Sequence, residues 1–265
     1  MRHGPAGQWR PLSKAALALV LLATMGACGN AGGATDGGRH LTVAAAASLT
    51  APFTDIGRAF EQRNSGVSVS VSFGPSDGLA SQINEGAPVD VFASASPRWM
   101  DAVQDGAGAS GRAVFARNEL AIIVPADNPA GIQTLGDLAR HGVQLVLAAE
   151  GVPAGDYARE ILAKTGISAA ATRNVVSNEE DVKSVVTKVL TGEADAGIAY
   201  VTDVTPELAG RVAIVTLPDH LNVLATYPIA VVSGSAEAVT ARRFVDFVLG
   251  EGQRILSAHG FLPAR

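Results

Sequence analysis

Beyond its N-terminal segment, the chain alternates short apolar stretches with stretches of helical periodicity. An apolar stretch at 41–43 is followed by Phe53, Ile56 and Phe60 at helical spacing, and 67–73 alternates apolar residues with serine. Further strands are predicted at 89–93, 120–124, 145–148, 196–200, 212–217 and 229–232. Further helices are predicted at 97–105, 158–164, 182–191 and 236–249. This alternation predicts an α/β protein with a mostly parallel sheet.

The end of the first predicted strand carries a small, chargeless corner. Residues 44–50 read AAAASLT, and their small side chains allow a ligand to approach the backbone closely. A strand-to-helix corner of this kind presents free backbone N–H groups and a hydroxyl to one point, which suits an anion. Similar corners recur at Ser76, at Ala154 and near Val182. The sequence therefore predicts a binding site for a small anion.

These corners fall into two groups along the chain. Ser48 and Ser76 come early, whereas Ala154 and Val182 come late. Ligands of α/β sheets bind beyond the carboxyl ends of the strands, where such corners lie. We therefore predict two α/β lobes that each carry half of a site and face each other across a cleft.

The N-terminal segment 1–27 has the pattern of a bacterial export signal, so it is set apart from the fold. Three basic residues precede an apolar run of 13 residues at 15–27, which is shorter than the roughly 20 residues that span a bilayer. Small residues then precede Cys28, the only cysteine, as in a lipoprotein signal. We expect lipid attachment at Cys28, a glycine-rich flexible tether at 28–40 and a location on the extracytoplasmic face of the cell membrane. An ordinary secretory signal is the alternative.

Charge and cysteine content narrow the function classes further. Loss of the signal changes the net charge from −5 to −8, because the signal holds three basic and no acidic residues. This acidic balance argues against nucleic acid or an anionic membrane surface as a partner, so the lipid anchor is the only membrane contact expected. A buried site for a small anion stays compatible with the acidic balance, since it depends on local dipoles. One cysteine permits no disulfide within the chain, so the core must stabilise the fold.

Seven segments, in order, resemble the periplasmic molybdate-binding proteins of ABC importers. They are AAAASLT (44–50), VSFGPSDGLASQI (71–83), GAPVDVFASASPRWMD (86–101), GVPAGDYAREIL (151–162), EEDVKSVV (179–186), GEADAGIAYVTDV (192–204) and YPIAVV (227–232). The resemblance extends over nearly all of 41–262. It implies the two-lobed type II periplasmic binding protein fold with two hinge crossovers. One lobe would comprise 41–114 and 227–265, and the other 115–226.

The resemblance also implies a ligand and the groups that bind it. From the first lobe, Ser48 and Ser76 would each contribute a hydroxyl and a backbone N–H. From the second lobe, Ala154 and Val182 would contribute backbone N–H groups and Tyr200 its phenolic hydroxyl. The ligand would be molybdate, and also tungstate, with molybdenum held only as the oxyanion and no side chain coordinating it. No cofactor and no catalysis are implied, and a monomer would deliver the anion to a membrane permease driven by a cytoplasmic ATPase.

Neutral donors suit a dianion for physical reasons. Desolvation of the dianion is costly unless each oxygen receives hydrogen bonds, and helix starts supply donors together with a partial positive potential. Backbone N–H groups cannot accept a hydrogen bond, so they discriminate against a protonated oxyanion such as phosphate. Sulfate has the same charge and shape as molybdate, and only the cavity size separates the two. A binding protein for sulfate or another oxyanion is therefore an alternative function.

Other interpretations of the same residues stay open at this point. Residues 74–78 match the G-x-S-x-G nucleophile elbow, so an α/β hydrolase that uses Ser76 is a further alternative. Ser48 is equally typical of an N-cap, and Tyr200 of a core tyrosine whose hydroxyl is satisfied. Asp203 is interpreted as a loop acid. The sequence contains no recognisable metal-binding motif.

Two positions conflict with the resemblance. Asp77 stands where small or hydroxyl residues are common, and we expect it in the first turn of a helix with its side chain turned to solvent. Residues 177–180 read SNEE, a capping box that would start a helix at Asn178 and use the Val182 N–H inside that helix. For the Val182 N–H to bind a ligand, as the resemblance implies, the helix must begin near Asp181, and we expect this start.

Overall fold

The computed structural model describes residues 38–265. The predicted signal at 1–27, the lipid attachment site at Cys28 and most of the tether lie outside these described residues. Within 38–265, no helix combines the length and the apolar character needed to cross a membrane.

The described residues form nine strands and eight α-helices that alternate along most of the chain. The strands are β1 (Arg39–Ala46), β2 (Val67–Gly74), β3 (Val91–Ala93), β4 (Ala109–Pro125), β5 (Leu145–Ala148), β6 (Val175–Glu179), β7 (Ala196–Tyr200), β8 (Val212–Thr216) and β9 (Leu224–Val232). The helices are α1 (Thr50–Arg63), α2 (Ser76–Asn84), α3 (Pro97–Asp105), α4 (Pro153–Lys164), α5 (Ser168–Arg173), α6 (Val182–Leu190), α7 (Ala238–Leu249) and α8 (Gly252–Ala258). The α/β fold class is confirmed.

Two elements are longer than the sequence pattern predicts. Helix α4 begins at Pro153 rather than at 158, because proline is well tolerated at the first helical position, where no N–H is needed. Strand β4 begins at Ala109 rather than at 120, because it pairs with β9 along a stretch whose polar side chains break the apolar pattern.

The strands form one mixed sheet in the order β2-β1-β3-β9-β4-β7-β5-β6, with β8 paired to β4. The expectation of a mostly parallel sheet is wrong. Strand β1 pairs in parallel with β2 and β3, and β5 pairs in parallel with β6 and β7. Every pair that involves β4 or β9 is antiparallel, because these two strands carry the chain back between the two parallel sets.

Strand β4 joins two halves of the sheet. Its first part pairs with β9, which lies beside β3, β1 and β2; these strands make the first sheet half. Its last part, from Leu120 to Pro125, pairs with β7 and β8, and β5 and β6 complete the second sheet half. The predicted lobe boundaries at 114/115 and 226/227 fall inside β4 and β9. Those boundaries stay a prediction.

Aromatic packing holds α1 against the first sheet half. Phe53, Ile56 and Phe60 are each at most 1% exposed, which confirms the predicted helical spacing. Phe53 and Phe60 pack edge-on against Phe244 of α7, with ring centroids 6.3 and 5.2 Å apart. This core fixes the start of α1 at the end of β1 and so positions the corner at 44–50.

Candidate anion-binding site

A cavity lies at the carboxyl ends of strands from both sheet halves. Strands β1, β2 and β3 lead into it from the first half, and β5, β6 and β7 lead into it from the second. It contains about 230 Å³ of space free of protein atoms, part of it open to solvent. Its walls are formed by Ala46, Ala47, Ser48, Gly74, Pro75, Ser76, Ala95, Val152, Pro153, Ala154, Asp181, Val182 and Tyr200. All five predicted ligand-binding residues therefore line one cavity.

Ser48 lies in the 3₁₀ turn Ala47–Leu49 between β1 and α1 and is 8% exposed. The interpretation of Ser48 as an N-cap is wrong, since Leu49 occupies the cap position of α1 and no side chain caps the helix. Instead, the Ser48 hydroxyl lies 3.1 Å from the phenolic oxygen of Tyr227 on β9. The hydroxyl is therefore held by a tertiary contact rather than by its own helix.

The residue behind Tyr227 favours one direction of the Ser48–Tyr227 hydrogen bond, with Tyr227 as the donor. The Asn118 carbonyl oxygen accepts from the Glu119 N–H, so the Asn118 amide group faces Thr202 and Tyr227. Because the Tyr227 oxygen accepts from Asn118 at 3.5 Å, its own proton is available for the Ser48 oxygen. The Ser48 proton is then free to point into the cavity. Sequence reasoning missed Tyr227 as a functional residue, although it opens the family-like segment at 227–232.

Ser76 is the first residue of α2 and is 1% exposed. Its oxygen accepts a hydrogen bond of 3.0 Å from the Ala95 N–H, which follows β3. An amide N–H can only donate, so the Ser76 hydroxyl proton stays available for another acceptor. Pro75 occupies the N-cap position, and Ser76 makes no capping bond of its own. Its hydroxyl and the first N–H groups of α2 are thus available as donors at a helix N-terminus.

Tyr200 ends β7 and is 1% exposed. Its hydroxyl is buried and has no hydrogen-bond partner among the described residues. The ring packs edge-on against Tyr227, with centroids 5.8 Å apart, so packing holds the ring in place. Burial raises the pKa of Tyr200 well above the ordinary value, so the phenol stays a donor. Tyr200 is therefore a core tyrosine by its packing, but the satisfied hydroxyl of that interpretation is not found among the described residues.

Ala154 is the second residue of α4, directly after Pro153. An N–H in the first helical turn has no acceptor within its own helix and is free to bind an anion. Gly155 lets this helix start approach the end of β5, since a Cβ there would collide with the carbonyl oxygens of Ala148 and Ala149. The close approach brings the α4 N-terminus to the cavity wall.

Helix α6 begins at Val182, with Asp181 as its N-cap. The Asp181 carboxylate lines the cavity but accepts from the Ser184 N–H at 2.8 Å. The helix start near Asp181 is confirmed, and the alternative start given by the capping box at 177–180 does not form, because Asn178 belongs to β6 and pairs with β5. Strand pairing has overridden the local capping signal. The Val182 N–H consequently lies in the first turn, where it has no acceptor within the helix.

The cavity has the electrostatics of a site with neutral donors. Helices α2, α4 and α6 direct their positive N-terminal ends to it. No lysine, arginine or histidine is among the described residues that form its walls. Among 38–265, no group of three or more histidine, cysteine or acidic side chains is arranged to hold a metal ion. The arrangement can bind an anion through hydrogen bonds alone.

Asp203 lies just behind this wall and is buried, so its interpretation as a loop acid is wrong. Its carboxylate accepts from the Tyr200 N–H at 3.1 Å. Burial raises the pKa of Asp203 to about 7, while the Tyr200 hydrogen bond and the Lys183 charge oppose that rise. Asp203 therefore changes its charge near neutral pH.

Asp77 lies in the first turn of α2, as expected, but its side chain is not turned to solvent. One carboxylate oxygen is buried without a hydrogen-bond partner in the described part of the chain. The other oxygen lies beside Gly151, at 3.8 Å from where a Cβ of Gly151 would be. The expected orientation is wrong because the start of α2 packs against the turn before α4. Asp77 does not form part of the cavity wall.

The hydrolase alternative requires a base beside Ser76. Ser76 does sit at a strand–turn–helix corner, between β2 and α2. However, its oxygen accepts from the Ala95 N–H, and the described cavity walls contain no histidine. A serine nucleophile without a base is not activated. The geometry supports binding rather than catalysis.

Comparison with known proteins agrees with this geometry. The family model described as bacterial extracellular solute-binding protein matches residues 41–262. The molybdate-binding protein ModA of Mycobacterium tuberculosis is 39% identical over 262 residues, covering 96% of this chain and 98% of that protein.

Two solved structures show the fold. The periplasmic molybdate-binding protein of Azotobacter vinelandii has a TM-score of 0.73 at 21% identity, covering 85% of this chain and 100% of that one. The sulfate-binding protein SubI of Mycobacterium tuberculosis has a TM-score of 0.78 at 19% identity, covering 85% and 87%. The two-lobed periplasmic binding protein fold implied by the sequence resemblance is confirmed.

Proposed function

The chain belongs to the bacterial extracellular solute-binding proteins, and we propose that it captures molybdate, and also tungstate, in the cavity between its two sheet halves. Proteins of this family are transport components, so the protein is not an enzyme and leaves its ligand unchanged. The anion is held as a complete oxyanion by hydrogen bonds, without a cofactor.

The observation that carries this proposal is the hydroxyl of Tyr200. A buried hydroxyl without a partner destabilises a protein by about 1–3 kcal/mol, and this one lies at a cavity wall. The hydroxyl protons of Ser48 and Ser76 and the first N–H groups of α4 and α6 are available at the same cavity. An oxyanion supplies the acceptors that all of these donors lack.

The donor set favours a fully deprotonated tetrahedral anion. Backbone N–H groups offer nothing to a proton on the ligand, so a singly protonated phosphate would leave one of its groups unsatisfied. Molybdate is unprotonated at neutral pH. The absence of cations from the described walls also fits a site that empties, since a buried lysine would be left uncompensated when the anion departs.

Transport follows from donors that come from both sheet halves. The ligand bridges Ser48 and Ser76 of the first half to Ala154, Val182 and Tyr200 of the second. It therefore stabilises the closed arrangement by its differential affinity. A monomer anchored through a lipid on Cys28 would deliver the anion to an ABC permease, which a cytoplasmic ATPase drives.

Calorimetric titration of the protein with molybdate, tungstate, sulfate and phosphate tests the ligand. We expect tight binding of molybdate and tungstate and weak or no binding of phosphate. Sulfate binding as tight as that of molybdate would make the protein a general oxyanion carrier and contradict the proposed specificity. Absence of binding by all four anions would contradict the function itself.

The lipid anchor needs a separate test. We expect metabolic labelling with a radioactive fatty acid to mark the wild-type protein in its own host and not the Cys28→Ala variant. The variant should appear in the medium or the soluble fraction. Equal membrane association of both proteins would contradict lipid attachment at Cys28.

A further inference from the structure

A hydrogen bond joins the two sheet halves beside the cavity. The indole N–H of Trp99 on α3 donates to the Gly151 carbonyl oxygen at 2.8 Å. Helix α3 packs against β9 and α2 in the first half, whereas the turn containing Gly151 leads into α4, which packs on β5 and β7. Trp99 and Gly151 therefore belong to opposite sides of the cavity. Trp99 itself is half-buried and does not line the cavity.

Two charged residues surround this contact. The Arg98 guanidinium lies 4.7 Å from the centre of the Trp99 ring and 3.1 Å from a carboxylate oxygen of Asp156 on α4. The other Asp156 oxygen accepts from the Gly151 N–H at 2.8 Å. Gly151 is thus held through its N–H from its own half and through its carbonyl from the opposite half. We call these four residues the 151 latch.

The 151 latch is connected to the site by the chain itself. Gly151 has a φ of +94°, a conformation that glycine adopts without strain, and it makes the turn immediately before α4. Ala154, whose N–H faces the cavity, lies in the first turn of that helix. A displacement of the Gly151 carbonyl therefore also displaces the N-terminus of α4, which lies at the cavity wall.

We propose that Trp99 is a positioning residue that latches the two sheet halves together over the bound oxyanion through the Gly151 carbonyl. This inference rests on the proposed function. The Trp99–Gly151 bond exists only when the halves are together, so it contributes to the closed arrangement and not to the open one. The Arg98–Asp156 pair contributes less, because the Arg98 side chain is 65% exposed and water screens its charge.

The Trp99→Phe variant tests the proposal, because phenylalanine keeps an aromatic ring at the position and lacks the N–H. Release of radioactive molybdate is followed after dilution into excess unlabelled molybdate, using the full chain. We expect release to be about 3- to 10-fold faster in the variant, the range for loss of one hydrogen bond. The association rate and the melting temperature without ligand should stay unchanged. Asp105→Asn, an exposed change on the same helix, is the matched control and should behave as wild type.

The possible results distinguish failure of the proposed 151 latch from failure of the proposed function. Molybdate binding with equal release rates in wild type and Trp99→Phe would overturn the latch and leave the proposed function intact. A lower melting temperature of the ligand-free variant would assign Trp99 a role in general stability and overturn the latch as well. Failure of the wild type to bind molybdate would overturn both inferences.

Discussion

The phenolic oxygen of Tyr227 lies 3.1 Å from the hydroxyl of Ser48, although 179 positions separate the two residues in the chain. Tyr227 is fully buried, and burial raises the pKa of its phenol, so the phenol stays protonated. The bond crosses from β9 to the corner after β1. It gives a serine of the cavity wall a fixed orientation that its own helix does not supply.

Tyr227→Phe should therefore weaken molybdate binding, although Tyr227 does not line the cavity. The variant releases the Ser48 hydroxyl from its fixed direction, and we expect a loss of about 0.5–1.5 kcal/mol, the contribution of one ordinary hydrogen bond. Calorimetric titration measures the change. An affinity equal to that of the wild type would show that Tyr227 has no part in orienting Ser48.

Tyr200→Phe should weaken molybdate binding without lowering the stability of the ligand-free protein. Removing a buried hydroxyl that has no partner should leave the ligand-free melting temperature unchanged or raise it. Removing a donor from a bound dianion should weaken molybdate binding by about 1–3 kcal/mol. Thermal melting with and without molybdate gives both quantities. A marked loss of ligand-free stability would mean that the hydroxyl is satisfied in the empty protein.

Loss of either serine should affect both ligand binding and the stability of the empty protein. Ser48→Ala and Ser76→Ala should each weaken molybdate binding by about 1–3 kcal/mol. Ser76→Ala also leaves the Ala95 N–H without its acceptor, and Ser48→Ala leaves the buried Tyr227 hydroxyl without its Ser48 partner. Both variants should therefore also lose stability without ligand, by about 1 kcal/mol each. Titration and urea unfolding measure the two effects. Ser72→Ala changes an exposed serine on β2 and is the matched control. If Ser48→Ala or Ser76→Ala bound molybdate as tightly as this control, that serine would not belong to the site.

Asp203 should make stability depend on pH. Its pKa is raised from 3.8 to about 7 in the folded protein, so the folded state binds a proton more tightly than the unfolded state. The contribution of Asp203 to stability is therefore fully present below about pH 4 and is lost as the pH rises towards 7. Asp203→Asn keeps an oxygen for the Tyr200 N–H and should show a smaller decline over this range. Urea unfolding at several pH values is the measurement, and parallel curves for both proteins would contradict the raised pKa.

Asp77→Asn should strengthen molybdate binding. The Asp77 carboxylate is half-buried beside Ser76, where its charge opposes a dianion in the neighbouring cavity. We expect a gain of about 1 kcal/mol or less, larger at low salt than at high salt. Titration at two ionic strengths tests both points, with Asp105→Asn as a control for removal of a distant exposed charge. Weaker binding by Asp77→Asn would indicate that this carboxylate supports the site.

Periodicity predicted the elements where local packing decides them. The spacing of Phe53, Ile56 and Phe60 gave α1 correctly, because a helix buries whatever lies on one of its faces. The serine-valine alternation likewise gave β2. The capping box at 177–180 failed, because pairing of β6 with β5 outweighs a signal that acts over a single turn.

Strand direction and side-chain environment were less accessible to prediction. The antiparallel direction of β4 and β9 depends on which distant strands they pair with, and no local sequence pattern predicts that pairing. Asp77 was expected in solvent and Asp203 in a loop, yet both are at least half-buried, because other segments cover them. The role of Tyr227 was missed for the same reason.

By itself, the sequence determined the α/β class, the order of the elements and the residue types that stand at the helix starts, since these follow from spacing and backbone chemistry within a few residues. Only the tertiary structure decided which of those starts share one cavity, which hydroxyls have a proton available there and which side chains join the two sheet halves. Such relationships depend on contacts between residues far apart in the chain, as between Ser48 and Tyr227 or Trp99 and Gly151.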